Sequence, residues 1–333
     1  MPDTGTQTSS SRHIVVLATP TAQSIEVAAP VEVFSTARIK LQEAGRELSP
    51  SYRVTIASCS ESLDIRSSTS GLRIMADRPW FDIDEPVDTL IVAGGMTLWT
   101  GADQPALLDW VRAVAGRARR TASVCTGAFL LAEAGLLNGR RVTTHWYFSQ
   151  KLKQDYPTLT VDPQPLYIRD GNVVTAAGVA SGLDLSLALV EEDLGIDIAF
   201  RVARALVLFV RRTGGESQFS TALAFQSSSH LPLRELPLWL IENLDQKLTV
   251  ETLAARVAMS PRNFARVFSK EFGSSPLRFI EQLRIDTARR LLTESDGSLE
   301  HIAHRVGFGS VDTMNRTFRR HANALPSQLR SRA

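Results

Sequence analysis

Cys125 is the residue of this chain with the plainest chemical potential. It stands in Ser123-Val124-Cys125-Thr126-Gly127, directly after an apolar β-type run and before a helical one. A sharp strand-to-helix turn exposes the side chain at its apex above a sheet edge. A helix N-terminus beside a thiol lowers its pKa toward the thiolate, the form that attacks carbon and is oxidised. Three other positions could complete a thiol site. Gly94-Gly95 ends another strand, and its backbone N–H groups could offer an oxyanion hole. His145 follows a strand in Thr143-Thr144-His145-Trp146 and is a candidate base. Glu26 opens the first helix and is a candidate partner for the thiol. Three readings of this set stand side by side: a nucleophile that turns over a substrate, a pocket that binds a small molecule or senses oxidation, and an elbow kept for packing.

A second set of residues suits nucleic acid. Arg266 recurs as Arg316, Phe268 as Phe318, Ser260 as Ser310 and Pro276 as Pro326, at an offset of 50. Upstream the offset is 49, with Leu253-Ala254-x-x-Val257 recurring as Ile302-Ala303-x-x-Val306. The slip falls in a turn, where Ala258-Met259 becomes Gly307-Phe308-Gly309. Each copy reads as a short helix, a tight turn and a second helix opened by Ser, which is a helix-turn-helix whose second helix is shaped for a DNA major groove. In the first copy Arg262, Asn263, Ala265 and Arg266 face away from the stripe Phe264, Val267, Phe268 and Phe272. Arg262 and Arg266 are four apart and share a face, and Arg is the commonest reader of guanine, through O6 and N7. In the second copy Val311, Asp312, Asn315 and Arg316 face outward from Met314 and Phe318. Arg319 and Arg320, at the far end, suit phosphate better than bases. Asp312 stands where the first copy has Arg262; it cannot bond phosphate but could accept from a cytosine amine.

The elements that must hold these residues follow from patterning. From His13 onward β-type runs (Ile14–Leu17, Tyr52–Ala57, Thr89–Ala93, Thr121–Val124, Arg141–Thr144) alternate with helical ones (Val27–Leu41, Pro105–Ala118, Gly127–Ala134, Tyr147–Asp155, Ser181–Glu192). Leu166–Arg169 and Asn172–Ala176 form a hairpin through Asp170-Gly171. Such alternation predicts a parallel α/β sheet covered on both faces. Ile198–Val210 is one more helix. Residues 211–230, rich in Gly, Ser and Gln, read as a connector, and every segment from Pro232 is helical. Thr249, Ser260, Ser298 and Ser310 are natural N-caps, and Gly273 and Asn323 suit left-handed helix ends. Pro276–Glu294 joins the two copies as one helix with the stripe Leu277, Ile280, Leu283 and Leu291. Its length, about 28 Å, is near one turn of DNA, about 34 Å, so it could set two recognition helices in successive major grooves. The expected domains are a disordered tail (1–11), an α/β domain (12–197), a connecting helix and linker (198–231) and an all-α tandem helix-turn-helix domain (232–333).

Composition excludes several classes. The chain of 333 residues is 44% apolar and 22% charged, ordinary for a folded protein. Its net charge of +2 hides an asymmetry, because residues 231–333 carry sixteen Lys and Arg against eleven Asp and Glu. That modest basicity is compatible with nucleic acid. Two cysteines, Cys59 and Cys125, give no disulfide framework or zinc site, and Cys59 reads as buried core. No cofactor or metal is expected. No apolar run approaches a membrane span and the polar N-terminus is no signal peptide, so a reducing cytoplasm is the expected compartment, with the nucleoid as the location when DNA is bound.

The C-terminal repeat, residues 238–330, resembles the AraC/XylS family DNA-binding domain. The likeness includes both units, the bridging helix, the run Ile302-Ala303-His304-Arg305-Val306-Gly307-Phe308-Gly309-Ser310 and Pro326 to Arg330. Ala322-Asn323 departs from the family's usual aromatic-Gly or Leu-Gly, which implies weaker base reading by the second unit. Residues 12–195 resemble the ThiJ/PfpI-like branch of the class I glutamine-amidotransferase-like superfamily, through Glu26-x-x-x-Pro30, Ala93-Gly94-Gly95, Cys125-Thr126-Gly127 and Gly139-Arg140-Arg141-Val142-Thr143-Thr144-His145-Trp146. This implies a flavodoxin-like sandwich, commonly dimeric. Protease-like members have His after the cysteine, where this chain has Thr126. Isonitrile hydratases of the superfamily share the Cys-Thr-Gly and Thr-Thr-His-Trp patterns and place their acid where Glu26 stands. Together the halves resemble GlxA-type transcriptional regulators. That implies a homodimer that binds double-stranded promoter DNA, responds to a small-molecule effector and meets RNA polymerase. The rival reading is a cysteine-dependent hydrolase or hydratase.

Overall fold

Alternating Val, Ile and Leu in the first strand enter two different cores, and this defines the N-terminal half. In the computed structural model Ile14, Val16 and Ala18 point into one core while Val15 and Leu17 point into the other, all fully buried. A strand buried on both faces belongs in the middle of a covered sheet. The structure describes residues 11–45, 51–208, 243–272, 274–294 and 297–322, with 214, 218, 233, 236, 239, 240, 326 and 327. The chain forms two compact units, Met1–Gly214 and Gly215–Ala333. The expectations for the tail, Gly273, Asn323 and most of the connector lie outside the described residues.

In the first unit β1 (Arg12–Ala18), β2 (Tyr52–Ser58), β5 (Arg78–Pro79), β6 (Thr89–Ala93), β7 (Arg120–Val124), β10 (Tyr167–Asp170) and β11 (Val173–Ala176) form a seven-stranded sheet. Its order is β10-β11-β7-β6-β1-β2-β5. All pairings are parallel except the β10–β11 hairpin at the edge. Helices α1 (Ser24–Glu43), α5 (Ser181–Leu194) and α6 (Ile196–Ala205) cover one face. Helices α2 (Pro105–Ala115), α3 (Gly127–Glu133) and α4 (Trp146–Asp155) cover the other. This is the flavodoxin-like α/β sandwich.

Patterning did not reveal the hairpin β3 (Asp64–Arg66) and β4 (Arg73–Met75), because each strand carries a single inward apolar residue, Ile65 or Ile74. The run expected to continue to Thr144 stops as β8 (Arg141–Val142), paired with β9 (Thr160–Val161). Its next residues bond through side chains instead: Thr143 N–H donates to Thr175 Oγ1 at 2.8 Å and Thr144 Oγ1 donates to Cys125 O at 2.7 Å.

At the N-terminal ends of the strands, Asp193 gathers three arginines. Its side chain is 1% exposed and lies 2.7 Å from Arg12, 2.6 Å from Arg119 and 2.7 Å from Arg120. Tyr52 Oη also donates to it, at 2.9 Å. Burial alone would raise the Asp193 pKa, but the Arg119 hydrogen bond, the Arg120 charge and the Tyr52 hydroxyl outweigh it and hold the carboxylate below its ordinary value.

The second unit contains α7 (Val250–Arg256), α8 (Pro261–Phe272), α9 (Pro276–Glu294), α10 (Leu299–Arg305) and α11 (Val311–Ala322). Thr249 caps α7 in a capping box with Thr252, and Ser298 caps α10 by accepting the His301 N–H at 3.2 Å. The two copies turn alike: Ala258 (φ 52) and Gly307 (φ 79) are both left-handed, and Gly309 is the residue inserted before Ser310. Helix α9 divides between two cores. Ile280 and Leu283 join the core of the first copy with Phe264 and Phe268, whereas Ile285, Ala288 and Leu292 join that of the second with Met314 and Phe318. Leu277, expected in the stripe, is 52% exposed, because the apolar face of α9 starts one turn later.

Candidate functional sites

The elbow forms where four strands end. Cys125 follows β7, Gly94-Gly95 follows β6, Thr19 follows β1 and Gly178 lies just past β11. The chain reverses direction across the sheet between β1 and β6, and the C-terminal strand ends at such a switch point are where open α/β sheets bind ligands.

Cys125 has φ 59, the strained left-handed conformation of an elbow residue. Gly178, at φ 122, makes room for it, since a Cβ there would stand 2.7 Å from Cys125 Cβ and 3.1 Å from Sγ. The thiol does not stand free above the sheet. It is fully buried and lies 3.7 Å from Gly95 O. Burial, then the charge and hydrogen bond of Glu26, push its pKa well above the ordinary thiol value. The expected activation by the start of α3 is thus overturned, because a partial charge at a helix end is outweighed by desolvation and an adjacent carboxyl.

Glu26 sits in the first turn of α1, fully buried against the thiol. Burial raises its pKa to about 8, with the Cys125 hydrogen bond and the Val179 N–H opposing, so it holds a proton at neutral pH. Oε1 accepts the Val179 N–H at 3.3 Å, and Val179 is itself left-handed at φ 50. Glu26 Oε2, Thr19 Oγ1 and Gln23 Oε1 are three enclosed polar atoms around the start of α1 with no well-aligned partner among the described residues.

Gly95 does not offer a free donor. Its N–H is taken by Thr126 Oγ1 at 2.9 Å, the Thr126 hydroxyl donates back to Gly95 O at 2.7 Å, and the Gly94 N–H is taken by Val124 O at 3.1 Å. The oxyanion-hole expectation fails here, because the donors close the fold. His145 caps α4, its Nδ1 accepting the Tyr147 N–H at 3.3 Å. Burial lowers its pKa, so it is neutral near pH 7. Among the described residues no hydrogen bond joins it to Cys125; its neighbour Thr144 makes the connection, to the Cys125 carbonyl. Sequence reasoning missed Thr126, Thr144, Gly178 and Val179 as site residues. Only the left-handed requirement at Gly178 left a local trace. The tip of the β3–β4 hairpin also reaches the site, where Gln23 Nε2 donates to Thr69 Oγ1 at 2.5 Å.

In the second unit Ser260 and Ser310 cap the recognition helices by accepting the Asn263 and Thr313 N–H groups, at 3.4 and 3.2 Å. Phe264, Val267 and Phe268 are buried under α8 while Arg262, Asn263 and Arg266 are exposed. Arg266 donates to Asn263 Oδ1 at 2.9 Å, and its repeat equivalent Arg316 donates to Thr313 Oγ1 at 3.4 Å. Asp312 and Arg316 are exposed and Asn315 is half-buried. Val311 differs from expectation: it packs against the second core, because the first turn of α11 leans onto α9 and α10. Arg320 pairs with Glu281 of α9 at 3.1 Å, while Arg319 is exposed. Among the described residues no cluster of His, Cys, Asp and Glu could hold a metal, and no helix is long and apolar enough to cross a membrane.

Comparison with known proteins accords with both halves. Residues 12–192 match the DJ-1/PfpI family and residues 253–332 match a helix-turn-helix domain. The chain is 30% identical over 264 residues to the HTH-type transcriptional regulator CdhR of Pseudomonas aeruginosa, covering 79% of this chain and 78% of that protein. It is 38% identical over 135 residues to an isonitrile hydratase of Pseudomonas putida, covering 40% of this chain and 57% of that enzyme. A solved ThiJ/PfpI family protein from Pseudomonas syringae shares the fold, with a TM-score of 0.53 at 22% identity over 78% of this chain and 98% of that one. The chain therefore belongs to the DJ-1/PfpI family, and carries a helix-turn-helix domain after its DJ-1/PfpI domain.

Proposed function

We propose that this chain is a sequence-specific, DNA-binding transcriptional regulator of the cytoplasm. Its C-terminal unit reads double-stranded promoter DNA, and its α/β unit receives a small molecule at the elbow and pairs with a second copy. RNA polymerase is the further partner a promoter-bound regulator meets. One observation carries the reading: two capped recognition helices, repeated in register, each present arginine on an exposed face. Arg262, Asn263 and Arg266, with Asp312, Asn315 and Arg316, are the proposed base-facing residues, and Val311 supports them from the core side. A protonated Glu26 and the enclosed polar atoms of Thr19 and Gln23 suit a small polar ligand better than a thiolate reaction. Any such ligand acts only by favouring one state of the protein over another.

Selection of full-length protein against a random duplex pool tests the reading. A defined motif, degraded at particular positions by Arg262→Ala and Arg266→Ala, is the expected result. Failure to enrich any sequence, with and without small-molecule extracts, would sink it.

The second reading, a cysteine-dependent hydratase or hydrolase, is favoured by the stretch similar to isonitrile hydratase and by the Glu26–Cys125 contact. Turnover of an isonitrile that disappears in Cys125→Ala would establish it.

A further inference from the structure

Besides the Arg320–Glu281 pair, the two helix-turn-helix copies share a polar joint at Arg284. Midway along α9, Arg284 is half-buried, and its Nη2 donates to Leu244 O and to Gln246 O at 3.0 Å each. Both carbonyls belong to the segment leading into α7, so they are part of the first copy. The second copy reaches the same point through Gly307, in the turn between α10 and α11. A Cβ on Gly307 would overlap Leu244 O and stand 2.6 Å from Arg284 Nη2. Three pieces of chain thus converge on one guanidinium: the entry to α7, the middle of α9 and the turn that sets α11.

The apolar packing does not make this joint. Leu283 serves the first core and Ile285 the second, and Arg284 stands between them where the two cores divide. Among the described residues Nε has no partner in hydrogen-bond geometry, and withdrawal from water depresses the guanidinium's pKa, with the Glu281 charge opposing. Withdrawing a cation from water is costly unless its donors are matched. A methionine would fill comparable space without that cost, but it would not grip two carbonyls in fixed directions.

We propose that Arg284 is a positioning residue that fixes α8 and α11 relative to each other, and thereby fixes how many base pairs separate the two half-elements the chain reads. This rests on the reading of both copies as DNA-binding. Gly307 is its counterpart, because only a residue without a side chain lets the second turn close against Leu244 O.

The test uses full-length protein and the duplex recovered from random selection, remade with one base pair inserted or removed between its halves. Wild type should discriminate against the altered spacings on the order of tenfold or more, the scale of losing well-placed base contacts. Arg284→Met should reduce that discrimination to about twofold while keeping the base preferences within each half, and Arg284→Lys should fall between, since an ammonium reaches the carbonyls without the fork. Unchanged spacing discrimination in Arg284→Met overturns the inference. So does an equal loss of affinity at every spacing, which marks a role in stability alone. If circular dichroism shows Arg284→Met to be unfolded, Arg284→Lys and Arg284→Gln decide on the same readout. A wild-type motif indifferent to spacing overturns this inference and leaves DNA reading intact, whereas no motif at all removes both.

Discussion

Glu26 holds the Cys125 thiol protonated, while burial alone keeps the proton on Glu26. The carboxyl is raised to about 8 by burial, and the thiol is raised by burial and by that same carboxyl. Glu26→Gln removes the carboxylate that forms above about pH 8 and leaves the shape. The Cys125 pKa should fall yet stay above the ordinary thiol range, because burial remains. Alkylation by iodoacetamide near pH 8.5 should therefore be faster in Glu26→Gln than in wild type. An equal or slower rate would show that the carboxyl does not restrain the thiol.

The same group makes stability depend on pH. An unfolded glutamate titrates near 4.3, so between about 4.3 and about 8 the folded chain holds a proton that the unfolded chain has lost. Stability contributed by this proton is fully present below the unfolded pKa and declines as pH rises through the window, by roughly 1.4 kcal/mol per pH unit at most. Urea midpoints measured from pH 5 to pH 8 should fall more steeply in wild type than in Glu26→Gln. Parallel profiles would place the carboxyl's pKa near its ordinary value.

Asp193→Asn should destabilise the α/β unit by about 3 kcal/mol, the usual cost of leaving a buried charge without its partner. Arg120, whose side chain is 3% exposed, loses its closest carboxylate. Asp193 is depressed in the folded state, so its contribution is present above the unfolded aspartate pKa and is lost as pH falls through the folded one. Thermal unfolding of the variant should converge with wild type in strong acid. A change under about 0.5 kcal/mol at pH 7 would mean that Arg12, Arg119 and Arg120 tolerate the loss.

Gly178→Ala should displace the elbow. The new Cβ would meet Cys125 Cβ at 2.7 Å in a backbone conformation that disfavours L-residues, for a cost of about 2 kcal/mol or more. Thiol accessibility to a disulfide reagent should rise in the variant as Cys125 shifts. An unaltered thiol with unaltered stability would show that the β11–α5 turn moves aside freely.

On DNA, Arg266→Ala should relax preference at one or two base positions at a cost of about 1–3 kcal/mol. Arg319→Ala should weaken all sequences evenly and reduce the salt slope by about one. Titrations at several salt concentrations distinguish the two. Loss of base preference in Arg319→Ala would reverse the roles.

What could be read from sequence was local. The alternation from Ile14 to Leu17, the caps at Thr249, Ser260, Ser298 and Ser310, and the Leu/Ile-Ala-x-x-Val pattern within each copy each involve neighbours a few residues apart. The order of strands along the chain likewise placed Cys125 and Gly94-Gly95 at the same edge of the sheet. What escaped depends on distant partners. Thr126 meets Gly95 across 31 positions and Asp193 meets Arg120 across 73, and no period in the chain records either. The thiol's state was misread for the same reason: the start of α3 is visible in sequence, but the burial that overrides it is not. Leu277 shows a subtler limit, since α9 follows two cores in turn and one stripe could not describe both.

That division of α9 has a dynamic consequence. A rod whose two halves are anchored in different cores need not melt as one piece, because opening one core leaves the other half of the helix supported. The C-terminal half of α9 should exchange its amide hydrogens together with α10 and α11, while the N-terminal half exchanges with α7 and α8. Among the described residues the second core is also the smaller, so it should open at the lower free energy. Each recognition helix then belongs to its own cooperative block, and one can be lost and regained while the other stays formed.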